Sequence, residues 1–175
     1  MKVRVFTCNK ECWPYQEVQQ QIDEAKRQLS RGINHISSWS CGNIKQIQAG
    51  DQAYFYRVGS EPRGFFALGR VVTAEIEHQS RLNWSDSQNL SEAYTDIYGD
   101  LRVNYEWYSV VDYDKTLSSR LLKTMPEFAN YNFLFRQSGM SFREEYVELL
   151  DSYWKQHILR MSMQGYGVYT PPPTT

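Results

Sequence analysis

Trp39, Arg57 and Arg63 fall within one stretch of the chain, and together they have the chemistry to hold a nucleotide. An extruded nucleobase offers two π faces and one hydrogen-bonding edge. It calls for aromatic walls and a few fixed donors and acceptors. Trp39 and Trp13 are candidate walls, and Ser38, Ser40 and Asn43 are candidate readers of a polar edge. Phosphates beside such a base call for arginine or for backbone N–H groups. Arg57 and Arg63 fit that need, and Gly64 bounds a loop whose main chain can come close. Gln137 and Ser138 are placed to close the pocket from the far side. Each residue also has a plainer reading: Trp39 as a core anchor, Arg57 as a structural ion pair. Arg63, in a loop, is the better phosphate candidate.

Two expected strands carry these residues. Gly50-Asp51 ahead of an aromatic run reads as a tight turn entering a strand. Gln52–Val58 is aromatic or β-branched at most positions, which suits a buried strand. Residues 59–64 form a loop with a glycine at each end. Phe65–Ile76 reads as the return strand, interrupted by Gly69, and a glycine there marks a bulge or a close backbone approach. Upstream, Val3–Thr7 alternates as a first strand. Val18, Ile22, Ala25 and Leu29 then define one face of a helix, and Gly32 is its expected stop. Ile33–Trp39 returns as a strand. Downstream, 78–101 reads as a long polar excursion, and Val103–Tyr113 as a strand with two unequal faces. Leu117–Leu122 reads as a short helix capped by Thr116 or Ser118. Ser141 to Glu144 matches a capping box ahead of a helix with a stripe through Phe142, Tyr146, Leu150 and Trp154. The order of elements implies an α+β fold: a curved, mostly antiparallel sheet or small barrel flanked by helices. Residues 1–162 are expected to form one domain and 163–175 a Pro-rich tail.

In order and spacing these pieces resemble the EVE-type members of the PUA-like superfamily, which also holds the YTH, ASCH and SRA readers. The nearest likeness is to the EVE-like domain that precedes HNH nucleases in modification-dependent restriction enzymes. The shared pattern is Trp39/Gly42, Gly50-Asp51, Tyr54–Arg57, Pro62-Arg63-Gly64, Gly69, Gln137-Ser138-Gly139 and Trp154. The resemblance implies a PUA-like β-barrel with flanking helices. It also implies a pocket for a flipped modified base, a cytosine derivative in DNA ahead of RNA. Trp39, Ser40 and the Arg57/Arg63 unit match the pocket-forming segments. No cofactor is implied. No nuclease segment follows residue 160, a departure from that pattern, and the chain is read as acting alone or with a nuclease on another chain.

The composition limits the alternatives. At 175 residues the chain can bury a substantial core. The net charge of −1 gives no overall basic field for a long duplex. The charge is uneven, however. Residues 1–72 hold ten Lys/Arg and six Asp/Glu, whereas 73–114 hold two and nine. That distribution fits a local ligand site better than a duplex clamp. Cys8, Cys12 and Cys41, without a signal peptide, point to a reducing cytoplasm. The histidines are too scattered for a zinc site, and no apolar run reaches membrane-spanning length. No nucleophile elbow, phosphate-binding loop or metalloprotease motif is present, so a binding protein is expected rather than an enzyme. A small-molecule or protein-interaction module on the same fold is the alternative.

Overall fold

The sheet is built around the aromatic run. In this computed structural model, which describes residues 2–9, 14–40, 47–72, 93–95, 101–135, 138–166 and 168, the elements in chain order are β1 (Val3–Asn9), α1 (Tyr15–Ser30), β2 (His35–Ser40), β3 (Gln52–Val58), β4 (Gly64–Val71), β5 (Ala93–Thr95), β6 (Leu101–Val110), β7 (Leu117–Ser118), α2 (Ser119–Leu122), β8 (Met140–Ser141) and α3 (Val147–Met163). The strand order is β2-β6-β4-β3-β1-β8, with β5 added to β6 and β7 to β4. The pairings are antiparallel except β1 with β3, which is parallel and sets Cys8 opposite Arg57.

The sheet curls on itself. β2 and β1 lie near opposite ends of the strand order, yet the Trp39 indole N–H donates to the Thr7 carbonyl at 3.0 Å. Gly69 supplies part of the bend. The β4–β6 register shifts between Leu68 and Gly69, and a Cβ at Gly69 would lie 2.0 Å from the Glu106 carbonyl oxygen. The sequence expectation of a bulge and a close approach at Gly69 therefore holds on both counts.

Curling divides the rings into two layers, because alternate residues of a strand face opposite sides. Phe6, Trp39, Phe55, Phe66, Tyr105 and Trp107 pack inside. Tyr54, Tyr56 and Phe65 face outward onto Phe133, Phe135, Phe142 and Trp154. α1 buries Val18, Ile22, Ala25 and Leu29, the stripe its spacing predicts. It stops before Gly32, whose φ of +74° suits glycine.

Several local expectations need correction. β6 buries both faces over most of its length, where two unequal faces were expected. Trp154 of α3 donates to Ser109 at 2.9 Å, and Arg70 pairs with Glu106 at 2.5 Å, so polar residues of β6 are covered as well. Leu117 and Ser118 form a strand on β4, and the helix begins only at Ser119, capped by the Ser118 hydroxyl. The capping box does not form. A 3₁₀ turn at Glu144–Tyr146 intervenes, and α3 starts at Val147 without a side-chain cap. β4 ends at Val71, and residues 73–92, which hold most of the expected excursion, lie outside the described residues.

His35 records how dry the interior is. Its ring stacks on Trp107 at 5.3 Å, and Nδ1 lies 2.8 Å from the Gln28 Oε1 acceptor, which places the proton on Nδ1. Burial lowers its pKa to about 4. The unfolded chain therefore takes up a proton between pH 6.5 and about 4 that the folded chain refuses. Stability from this group is complete above pH 6.5 and is lost as pH falls through that window, by at most about 3 kcal/mol. Melting curves across this range should show a slope that His35→Gln flattens. An unchanged slope would remove His35 as its source.

Candidate functional site

Two separate segments meet on the main chain of Thr7. Val3 and Val5 turn their carbonyls to the outer edge of β1, where they accept from Phe142 N and Gly139 N, each at 2.7 Å. Thr7 is next in this row, because alternate residues of a strand present their backbone to the same edge. β8 has ended by then, and side chains take over. The Thr7 N–H donates to Ser138 Oγ at 3.1 Å, and its carbonyl accepts the Trp39 indole N–H. Ser138 itself sits on a tight turn with Gly139 at φ +91°. Arg4 holds that turn by donating to the Gly139 carbonyl at 3.3 Å. Trp39 and Ser138, both singled out from sequence, are thus brought together through Thr7, which was not.

Trp39 occupies a core position. It is 1% exposed, and its ring meets Phe55 edge-on at 5.2 Å, with Tyr105 and Trp107 beside it. The expectation of an open wall is corrected to that extent: the indole faces the inner ring layer, and its N–H is committed. Ser38 is half-buried in β2 opposite Asn104, on the other face from Trp39. Ser40 ends β2 opposite Arg102. Trp13 and Gln137 lie outside the described residues.

Arg57 and Arg63 do not form a joint clamp. Arg57 is 7% exposed and faces the inner layer. It donates to the Tyr113 carbonyl at 2.8 Å and to Ser60 Oγ at 3.1 Å. Its guanidinium lies 4.4 Å from the Tyr113 ring centroid and 5.5 Å from that of Tyr15. The structural ion pair considered for it is also absent: among the described residues no carboxylate pairs with Arg57, and Nε has no acceptor. The cation instead lies beside two rings that are themselves in contact, their centroids 5.5 Å apart. Tyr113 continues the chain of contacts by donating from its hydroxyl to Cys8 Sγ at 3.3 Å. Burial, then Cys8, pushes the Tyr113 phenol far above its usual range, so it remains a neutral donor.

Arg63 is exposed, on the outer side near Tyr56, whose phenol is raised by burial and drawn back by Ser119 and Arg63. Its backbone is fixed: Glu61 Oε2 accepts its N–H at 3.1 Å, and its carbonyl accepts Ser119 N at 3.0 Å. Gly64 is required for packing, since a Cβ there would lie 2.2 Å from the Leu117 carbonyl oxygen. β7 therefore occupies the space a phosphate would need at Gly64.

Among the described residues no cluster of His, Cys, Asp or Glu could hold a metal, and no helix is long and apolar enough to cross a membrane.

The family model for the EVE domain matches residues 11–152. This chain belongs to the EVE domain family. The match spans every site residue singled out from sequence. The EVE domain also resembles solved structures in fold. One is a hypothetical protein from Leishmania major, 15% identical, with a TM-score of 0.52 over 89% of this chain and 96% of that one. Another is human THYN1 protein in complex with 5-methylcytosine-containing DNA, 13% identical, with a TM-score of 0.50 over 89% of this chain and 98% of that one. No curated protein matches the sequence. The expected α+β, PUA-like fold is the fold of this EVE domain.

Sequence reasoning missed Thr7, Tyr15 and Tyr113. Tyr113 had a faint signal, as the last ring of the alternating run. Thr7 acts through its main chain, which its residue type does not advertise.

Proposed function

We propose that this EVE domain binds nucleic acid and reads a modified base without transforming it, a cytosine derivative in DNA ahead of RNA. The observation that carries this reading is the EVE match over residues 11–152, which covers Trp39 and Ser138, the two side chains that converge on Thr7. The fold it shares with a protein solved on 5-methylcytosine DNA supports the same reading.

The pocket lies beside Thr7. Trp39, pinned by its N–H, is the floor, and Ser138 closes one side. The sequence assigns the second wall to Trp13, whereas Ser38, on the opposite face of β2 from Trp39, does not face this pocket. Trp39 is covered in the free protein, so base entry must uncover it. Unstacking the base costs a few kcal/mol, and stacking returns about 1–3 kcal/mol. A modified base is therefore selected by the fit of its added group as well as by its π face. Arg63 holds a neighbouring phosphate, and Arg57 supports that end of the sheet from within.

Fluorescence anisotropy with short oligonucleotides tests this. One set carries cytosine and the other modified cytosines, in DNA and RNA, at fixed salt. The expected result is at least about a tenfold preference for one modified form. No binding to any of them at about 100 μM protein would remove the proposal and leave a small-molecule or protein-binding role for the fold. Arg63→Ala should weaken modified and unmodified oligonucleotides alike and lower the slope of log K against log salt by about one. Its melting temperature should not change. A loss confined to the modified oligonucleotide would place Arg63 at the base instead.

A further inference from the structure

We propose that Tyr15 is a stacking platform for the nucleotide adjacent to the one read in the pocket. This rests on the nucleic-acid reading above and adds a second subsite to it.

Tyr15 is the first residue of α1 and is 42% exposed. A tyrosine so placed would ordinarily turn freely in water. Here it is held. Its ring lies 5.5 Å from that of Tyr113, tilted by 58°, and the Arg57 guanidinium lies 5.5 Å from its centroid. Holding a ring in place beforehand removes the ordering cost that binding would otherwise carry.

The support beneath it is unusual. Among the described residues the buried Arg57 guanidinium has no carboxylate partner and its Nε no acceptor, and its contacts are two ring faces, the Tyr113 carbonyl and Ser60. A buried unpaired charge is costly, and a well-packed apolar side chain would fill such a space with less penalty. What the cation adds is a fixed positive charge under an exposed aromatic ring, which suits a ligand that is both flat and anionic.

The position fits as well. Tyr113 links Tyr15 to Cys8, the residue after Thr7. Tyr15 therefore stands at the same end of the sheet as the pocket, two residues beyond Trp13. When one base is extruded, its neighbour loses a stacking partner, and an exposed aromatic ring nearby can replace it.

Oligonucleotides carrying the preferred modified base are prepared in three forms: intact, abasic on its 5′ side, and abasic on its 3′ side. Wild type, Tyr15→Ala and Tyr15→Phe are titrated with each. Tyr15→Ala should bind the intact form on the order of 10-fold more weakly. The loss should vanish on one of the two abasic forms, because the base that stacks is then missing. Tyr15→Phe should bind like wild type. If Tyr15→Ala does not fold, Tyr15→Leu, which fills similar volume without a π face, is read in the same way. Equal binding by the non-aromatic variant, or the same loss on all three oligonucleotides, overturns the platform and leaves the pocket standing. A wild type that binds none of them overturns both.

Discussion

Trp39→Ala is expected to destabilise the domain by about 3–5 kcal/mol, the range for removing a large buried ring. On a chain of this size that lowers the melting temperature by roughly 6–20 °C. The cost has two parts. The cavity opens among Phe55, Tyr105 and Trp107 in the middle of the inner layer. The Thr7 carbonyl also loses its donor, worth about 1 kcal/mol or more when the group stays buried. Trp39→Phe separates them: it keeps most of the ring and loses the N–H, so it should fall well short of the alanine variant. Thermal melts of both, with oligonucleotide titrations below the lower transition, measure stability and reading independently. An alanine variant melting within about 2 °C of wild type would show that Trp39 is not a core anchor. The expected pattern is a domain that still folds at low temperature and no longer distinguishes the modified base.

That one residue can be both core ring and pocket floor explains how far the sequence could be read. Trp39 was legible as an aromatic at a strand end, and composition cannot tell a wall from an anchor. The structure adds which way the ring faces and what its N–H touches. Local period was informative where an element buries one stripe. The four residues of the α1 stripe are the four that face the core, and Gly69 sits at the bulge its type announces. Period failed where neighbours distant in sequence decide. β6 reads as half-buried until Trp154 covers Ser109. The motif at Ser141 reads as a capping box until the 3₁₀ turn moves the start of α3 to Val147. Arg57 reads as a phosphate hand because an arginine ending a strand beside a glycine loop is often exposed. Its register opposite Cys8 follows from the parallel β1–β3 pairing, and its place beside Tyr15 and Tyr113 from contacts distant in sequence, neither of which a local pattern encodes.

Asp51→Ala should be about as damaging, through charge. Asp51 is 4% exposed. Oδ1 accepts from Lys2 N at 3.0 Å, and Oδ2 accepts from Gln48 N at 3.0 Å and from Arg4 Nε at 3.4 Å. One carboxylate thus ties the start of β1 to the turn before β3 and neutralises an arginine that is 5% exposed. Removing it takes from that buried cation the carboxylate that accepts from its Nε, a change that costs up to about 3–5 kcal/mol. Arg4→Met should cost less, because Asp51 keeps its two main-chain donors and the methionine fills the space. In urea unfolding the Asp51→Ala, Arg4→Met double variant should therefore be more stable than the sum of the single losses implies. Strict additivity would mean that the pair does not act as a unit. The effect extends to the site, since Arg4 also donates to Gly139 and so fixes the turn that carries Ser138 to Thr7. Arg4→Met should then weaken modified-base preference while the domain remains folded, because the hydroxyl that closes the pocket is held through this arginine. An Arg4→Met variant with wild-type preference would show that Ser138 keeps its place on the strength of its own bond to Thr7.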